Sequence, residues 1–139
     1  MSKDETPALA RVLDGLYVLV VEDHEDSRTL LATVLAMNGA QVIAVASVVE
    51  ALDAFERTTF DIVISDINMP DLDGFDLIER LRVRSPDEGG AVPAIAVTAL
   101  DGDDDRRRLL AAGFQYHLAK PVEAVRLLEL LLRASGRSG

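Results

Sequence analysis

Five times along this chain a short apolar run gives way to a segment whose apolar residues recur at helical spacing. No other feature restricts the possible folds as much. The runs are 16–21, 41–46, 62–64, 94–97 and 116–119, and each is short enough to be a strand buried on both faces. Between them, Leu30, Leu31, Val34 and Leu35 form a 3.6-period stripe that Ser27 or Asp26 is placed to cap and Asn38-Gly39 to end. Ser47 caps a second helix with Val48, Ala51, Leu52 and Phe55 inward, and Phe75, Leu77, Ile78 and Leu81 mark a third. Pro86, Gly89 and Gly90 exclude regular structure from 85–90. Asp101 and the acids 103–105 open a fourth helix that stops at Gly113, their charge favoured by the helix dipole, and a fifth runs from Val122 to about Ala134.

Strands and helices alternating at this spacing require crossover connections. The expected fold is therefore α/β, a doubly wound five-stranded parallel sheet with five helices on both faces. The flavodoxin-like strand order 2-1-3-4-5 would bring the carboxyl ends of strands one and three together at the switch point, where open sheets place their ligands. With 139 residues, one domain over 15–135 is expected, with an extension at 1–14 and a flexible tail at 136–139. Leu9, Val12 and Leu13 are spaced for one apolar helical turn within that extension, and a disordered leader is the alternative.

Charge narrows the function. Fourteen Lys and Arg against 24 Asp and Glu leave a net charge of −10, which argues against direct nucleic-acid binding and suits a metal cation or a basic protein partner. There is no cysteine, hence no disulfide or thiolate chemistry. No apolar run approaches the roughly 18 residues of a membrane span, and the polar, acidic start lacks the pattern of a signal peptide. A soluble, cytoplasmic domain without membrane insertion is expected.

The reactive side chains all fall at strand carboxyl ends. Glu22 and Asp23 follow the first strand, Asp66 the third, Thr98 the fourth and Lys120 the fifth. Three carboxylates in one pocket raise each other's proton affinity unless a cation joins them. A hard divalent ion, Mg²⁺ or Mn²⁺, suits oxygen donors of this kind. A carboxylate can also attack phosphorus to form an aspartyl-phosphate, a transfer that needs mainly positioning and neutralisation of the phosphoryl oxygens. The cation, Lys120 and the Thr98 hydroxyl would supply one partner for each oxygen.

Glu22-Asp23, the stretch from Asp66 through Asn68, Met69-Pro70 and Asp73 to Gly74, Thr98-Ala99 and Lys120-Pro121 together resemble the receiver domain of two-component response regulators. The resemblance covers about 16–134. It implies that Asp66 is the phosphoacceptor for a histidine kinase or histidine phosphotransfer protein. Glu22 and Asp23 then hold the metal, one of them through water, together with Asp66 and the backbone carbonyl of Asn68. Thr98 and Lys120 contact the phosphoryl group, and the Lys120–Pro121 bond is cis. The protein would be a phosphorelay signalling component whose only catalysis is its own phosphorylation and dephosphorylation. It would be either a stand-alone regulator or the receiver of a hybrid kinase. One departure stands out: His117 occupies the position where receivers often carry a Tyr or Phe switch residue. With Thr98 it would form a switch, its coupling weaker than that of an aromatic ring.

Other readings compete. A flavodoxin-type redox protein needs a first loop that cradles phosphate, and residues 22–26 would repel one. An aspartate-nucleophile phosphatase needs an acid two residues after the nucleophile, where this chain has Asn68. A receiver-like module that binds partners without phosphorylation remains the alternative. His24 and His117 are not at metal-ligand spacing, and His24 reads as exposed. The charges at 103–108 read as a solvated helix face, and Asp71 and Asp73 as shaping the turn after Asp66. The last helix is apolar on more than one face, through Val125, Leu128 and Leu132 beside Leu127, Leu130 and Leu131. The excess suggests a partner or homodimer surface on the fourth-helix, fifth-strand, fifth-helix side, toward a downstream target the sequence does not name.

Overall fold

The computed structural model describes residues 11–99 and 102–137. In chain order these form β1 (Tyr17–Val21), α1 (Glu25–Met37), β2 (Gln41–Val45), α2 (Val48–Arg57), β3 (Ile62–Asp66), α3 (Gly74–Arg82), β4 (Ala94–Thr98), α4 (Asp103–Ala112), β5 (Tyr116–Ala119) and α5 (Ala124–Ala134). All the strands are parallel and lie in the order β2-β1-β3-β4-β5. The expected alternation and strand order are both present.

Side-chain alternation divides the core between the sheet's two faces. Leu19, Val21, Val63, Ala94 and Ala96 pack with Val48, Ala51 and Phe55 of α2, Leu77, Ile78 and Leu81 of α3, and Leu109 of α4. On the other face Val18, Val20, Ile62, Ile64, Ile95 and Val97 pack with Leu31 and Leu35 of α1 and Leu127, Leu130 and Leu131 of α5. β3 and β4 are buried along their whole length, so β-branched and small apolar residues fill them up to Ser65, Asp66 and Thr98 at their carboxyl ends.

Local signals account for most boundaries. Ser47 Oγ accepts the Glu50 N–H at 3.2 Å and opens α2. A reciprocal capping box opens α3: Asp73 accepts from Asp76 N–H (2.9 Å), and Asp76 accepts from Asp73 N–H (2.8 Å). Asp71, at φ +67°, makes the turn before it. Gly39 at φ +100° follows α1, as the Asn38-Gly39 pair led one to expect.

Four expectations need correction. α1 begins at Glu25, ahead of both Asp26 and Ser27, because Arg28 N–H bonds the His24 carbonyl and closes the first turn there (2.9 Å). No side chain caps it, and Glu25 and Asp26 instead place negative charge at the dipole's positive end. Leu30 is 57% exposed, since the stripe that meets the sheet centres on Leu31 and Leu35 and leaves Leu30 about 100° away from Leu31. Residues Pro86–Glu88 form one 3₁₀ turn, which proline permits at its first position. α5 starts at Ala124 rather than Val122.

At the amino end, Leu13 is fully buried and donates its N–H to the Asn38 carbonyl at 2.8 Å. Arg137 Nη1 bonds the Asp14 carbonyl at 2.7 Å, tying the two ends of the described chain together. Leu9 and Asp101 lie outside the described residues, as do the first ten residues and the last two. Among the described residues no helix is long and apolar enough to cross a membrane.

Candidate phosphoacceptor site

The sheet's central strands carry the site. Because β1 and β3 are neighbours in a parallel sheet, with Val21 opposite Ser65, their carboxyl ends place Glu22 beside Asp66. Backbone bonds fix the position of each group. Glu22 N–H bonds the Val45 carbonyl (3.0 Å), Ile67 N–H the Val97 carbonyl (3.1 Å), and Lys120 N–H the Thr98 carbonyl (2.9 Å). Glu22, Asp66 and Thr98 are nearly inaccessible, and Lys120 is one-third exposed. Asn68 is exposed two residues beyond Asp66, in the loop before α3. The Lys120–Pro121 peptide bond is cis.

Lys120 Nζ approaches both central strands, 3.1 Å from Asp66 Oδ1 and 3.6 Å from Glu22 Oε1. Both Asp66 oxygens, Glu22 Oε1 and Asp23 Oδ1 are buried without a hydrogen bond, Asp66 Oδ1 being the one that Lys120 Nζ faces most closely. Buried carboxylate oxygens ordinarily find donors, so the other three, left open around one point, mark a place for a ligand of positive charge. Burial above all, and then the Asp66 charge, push the Glu22 carboxyl above its ordinary range, against the lowering effect of its bond from the His24 N–H. Burial works against the charge on Lys120, but Asp66 and Glu22 outweigh it and hold the ammonium above its usual pKa. Oxygen donors from Glu22, Asp23 and Asp66 lie within 4.8 Å of one another, which fits a hard divalent cation.

Glycine keeps the loop close. A Cβ on Gly74 would come within 2.6 Å of the Asp66 carbonyl oxygen and 2.9 Å of Ile67 Cα, so α3 can start directly beneath the acid only with glycine there. Gly74 N–H in turn bonds the Ile67 carbonyl at 2.9 Å.

The structure therefore assembles Glu22, Asp23, Asp66, Thr98 and Lys120 at one edge of the sheet, as their strand-end positions implied. It also adds two residues that sequence reasoning missed. Arg28 Nη1 donates to the carbonyls of Glu22 (3.0 Å) and Asp23 (3.3 Å), pinning the loop that presents both acids. An arginine in the first turn after an acidic loop was the available signal. His24 is exposed, as read, yet its Nδ1 lies 3.5 Å from both Glu22 Oε2 and Asp23 Oδ1. It belongs to the cluster of potential metal donors, which corrects the reading that its spacing excludes it. His117 sits on β5 opposite Ala96, half-buried, and lines a groove with Lys120 rather than the carboxylate cluster.

The response regulator receiver domain family matches residues 18–132 of this chain. The chain belongs to that family. The receiver is similar in sequence to an uncharacterised 14.6 kDa protein from Leptolyngbya boryana, 41% identical over 121 residues that make up 87% of this chain and 91% of the relative. The sensor histidine kinase RcsC of Escherichia coli (strain K12) is 38% identical over 109 residues, 78% of this receiver but 11% of the kinase. A crystal structure of the receiver domain of sensor histidine kinase PA1611 from Pseudomonas aeruginosa PAO1 superposes with a TM-score of 0.79 at 34% identity, covering 88% of this chain and 98% of that one. That structure has a magnesium ion coordinated in its active site cleft. The receiver described here is thus a module of two-component phosphorelay signalling.

Proposed function

We propose that Asp66 accepts a phosphoryl group from a phosphohistidine on a histidine kinase or histidine phosphotransfer protein. The observation that supports this most directly is a buried aspartate with an open carboxylate oxygen, faced by Lys120 at 3.1 Å and flanked by Glu22 and Asp23. An Asp66 oxygen attacks phosphorus, the P–N bond to the donor imidazole breaks, and the imidazole leaves with its electron pair and takes up a proton. Lys120 holds one phosphoryl oxygen and the Thr98 hydroxyl a second. Glu22, Asp23, Asp66 and the Asn68 carbonyl would hold Mg²⁺ or Mn²⁺, which when bound supplies charge neutralisation at the remaining phosphoryl oxygen. The receiver catalyses no reaction other than its own phosphorylation and dephosphorylation, and it works in the cytoplasm.

The phosphoryl group adds roughly −1.5 to −2 charges at Asp66. Thr98 turns toward it, and the ring of His117 occupies the space vacated. The readout lies along the groove between α4 and α5, a cavity of about 760 Å³ that reaches from Lys120 past His117 to Arg106, Arg126 and Arg133. Three arginines beside the exposed Leu110 suit a downstream partner presenting acidic and apolar groups, and a homodimer through this face is the second version.

Intact mass after incubation with Mg²⁺ and acetyl phosphate tests the reading. One added phosphoryl group is expected, absent in Asp66→Asn and after chelation. Equal labelling of Asp66→Asn would place the acceptor elsewhere. Ultracentrifugation with and without beryllium fluoride tests the homodimer, and an unchanged monomer removes it.

A further inference from the structure

The loop after β1 brings an imidazole to the carboxylates. His24 Nδ1 lies 3.5 Å from Glu22 Oε2 and 3.5 Å from Asp23 Oδ1, and the His24 N–H holds the same Glu22 oxygen at 3.1 Å. Two ligand atoms bound at about 2.1 Å to one ion stand about 3.0–3.4 Å apart in octahedral or tetrahedral geometry. The observed spacing is nearly that of ligands already gathered round a cation. Independently, Asp66 Oδ2 and Glu22 Oε1, on side chains 2% and 1% exposed, point into the same space without a hydrogen bond. The chain has no cysteine and two histidines, so His24 is the one softer donor adjoining the cluster among the described residues.

We propose that His24 Nδ1 is a ligand that gives this site a selective affinity for borderline divalent metals, Zn²⁺ foremost, over Mg²⁺. The inference rests on the reading that Glu22, Asp23 and Asp66 form the cation site. Mg²⁺ takes oxygen donors and gains nothing from an imidazole, whereas Zn²⁺ binds imidazole nitrogen strongly. A receiver with this loop therefore senses which metal is available: Zn²⁺ drawn toward His24 competes with the Mg²⁺ that supports phosphoryl transfer.

A second account of the same distances has His24 as a protonated partner of the two acids. The two accounts differ in what removing the ring does. Loss of a ligand lowers zinc affinity and leaves magnesium unaffected. Loss of a positive charge raises the affinity for both metals together.

Calorimetric titration of Zn²⁺ and of Mg²⁺ into the wild type, His24→Asn and Asp66→Asn decides between them without any activity readout. The expected result is a Zn²⁺ to Mg²⁺ affinity ratio lowered by about tenfold or more in His24→Asn, with Mg²⁺ affinity kept, which also certifies the fold. Asp66→Asn should weaken both metals, placing zinc at the same site. A ratio changed by less than about tenfold overturns the proposal, as does zinc binding that persists unchanged in Asp66→Asn. Failure of the wild type to bind Mg²⁺ would instead count against the underlying reading of the cation site, an outcome separate from any change in the ratio.

Discussion

Lys120 Nζ stands 3.1 Å from Asp66 Oδ1, so a cation delivered from beyond the edge strand β5 balances a carboxylate at the centre of the sheet. Lys120→Met leaves Asp66 and Glu22 facing each other without it. Removing one partner of a buried pair costs about 3–5 kcal/mol, and the partial exposure of Lys120 reduces that here to about 1–3 kcal/mol. Urea unfolding at pH 7 should register this loss, and adding Asp66→Asn to the same chain should recover most of it. Strict additivity of the two substitutions would contradict the pairing. The lysine's raised pKa makes its contribution complete below the ordinary lysine value of 10.5, to be lost as pH rises through the folded value.

Glu22 predicts a loss of the same sign, but at acid pH. Its folded carboxyl binds a proton more readily than the unfolded one, chiefly through burial, so stability falls as pH rises from the ordinary value of 4.5 through the raised one. A divalent cation offsets that penalty, and Mg²⁺ should raise the melting temperature more at pH 7 than at pH 4. In Glu22→Gln both dependences should flatten. A melting curve against pH, with and without Mg²⁺, checks this.

Gly74→Ala forces a methyl group to within 2.6 Å of the Asp66 carbonyl oxygen, a backbone atom with little room to yield. Overpacking of this kind costs about 1–3 kcal/mol. The displacement falls on Asp66 itself, so Mg²⁺ affinity and acetyl phosphate labelling should both drop. Unchanged labelling with reduced stability would mean that α3 yields and the acid does not.

Arg82 joins three segments on the α3–α4 side. It donates to the Gly113 carbonyl twice (2.7 and 3.0 Å), to the Gly90 carbonyl (3.1 Å) and to Gln115 Oε1 (3.2 Å). Arg82→Ala should destabilise by about 2–4 kcal/mol, because each carbonyl loses a charged donor. Lysine carries no planar fork, so Arg82→Lys should restore less than half. Chemical denaturation measures both.

His117→Tyr should strengthen the coupling between Asp66 and the groove. In the proposed switch an imidazole would fill less of the space that Thr98 leaves than a phenol would, so the wild type should remain partly in the inactive arrangement even when fully modified. Amide shifts of β5 and α4 under beryllium fluoride report the population directly. Equal shifts in the two proteins would refute a weak switch at His117.

Glu22, Asp23, Asp66, Thr98 and Lys120 are legible in the sequence, because each follows an apolar run, and parallel strands fed by crossover helices have their carboxyl ends on one edge. The core followed for the same reason: period-2 and period-3.6 patterns identify the buried face of Val48, Ala51 and Phe55 without reference to a neighbour. Leu30 was misread because the width of a helix's buried stripe depends on the sheet it meets, here an outer part of the sheet near β2. Arg28 and His24 escaped for a related reason. Their contacts are set by how the loop after β1 folds back on itself, and residue order does not encode a side chain's distance to a carbonyl or carboxylate.

The sequence by itself determined the parallel sheet and the five residues at its strand ends, since those follow from periodicity and crossover connections, while the strand order was the one that flavodoxin-like folds imply. Only the tertiary structure decided how the charges pair and which oxygens stay open. Electrostatic energies change steeply with distance and burial, and both are properties of the packed chain.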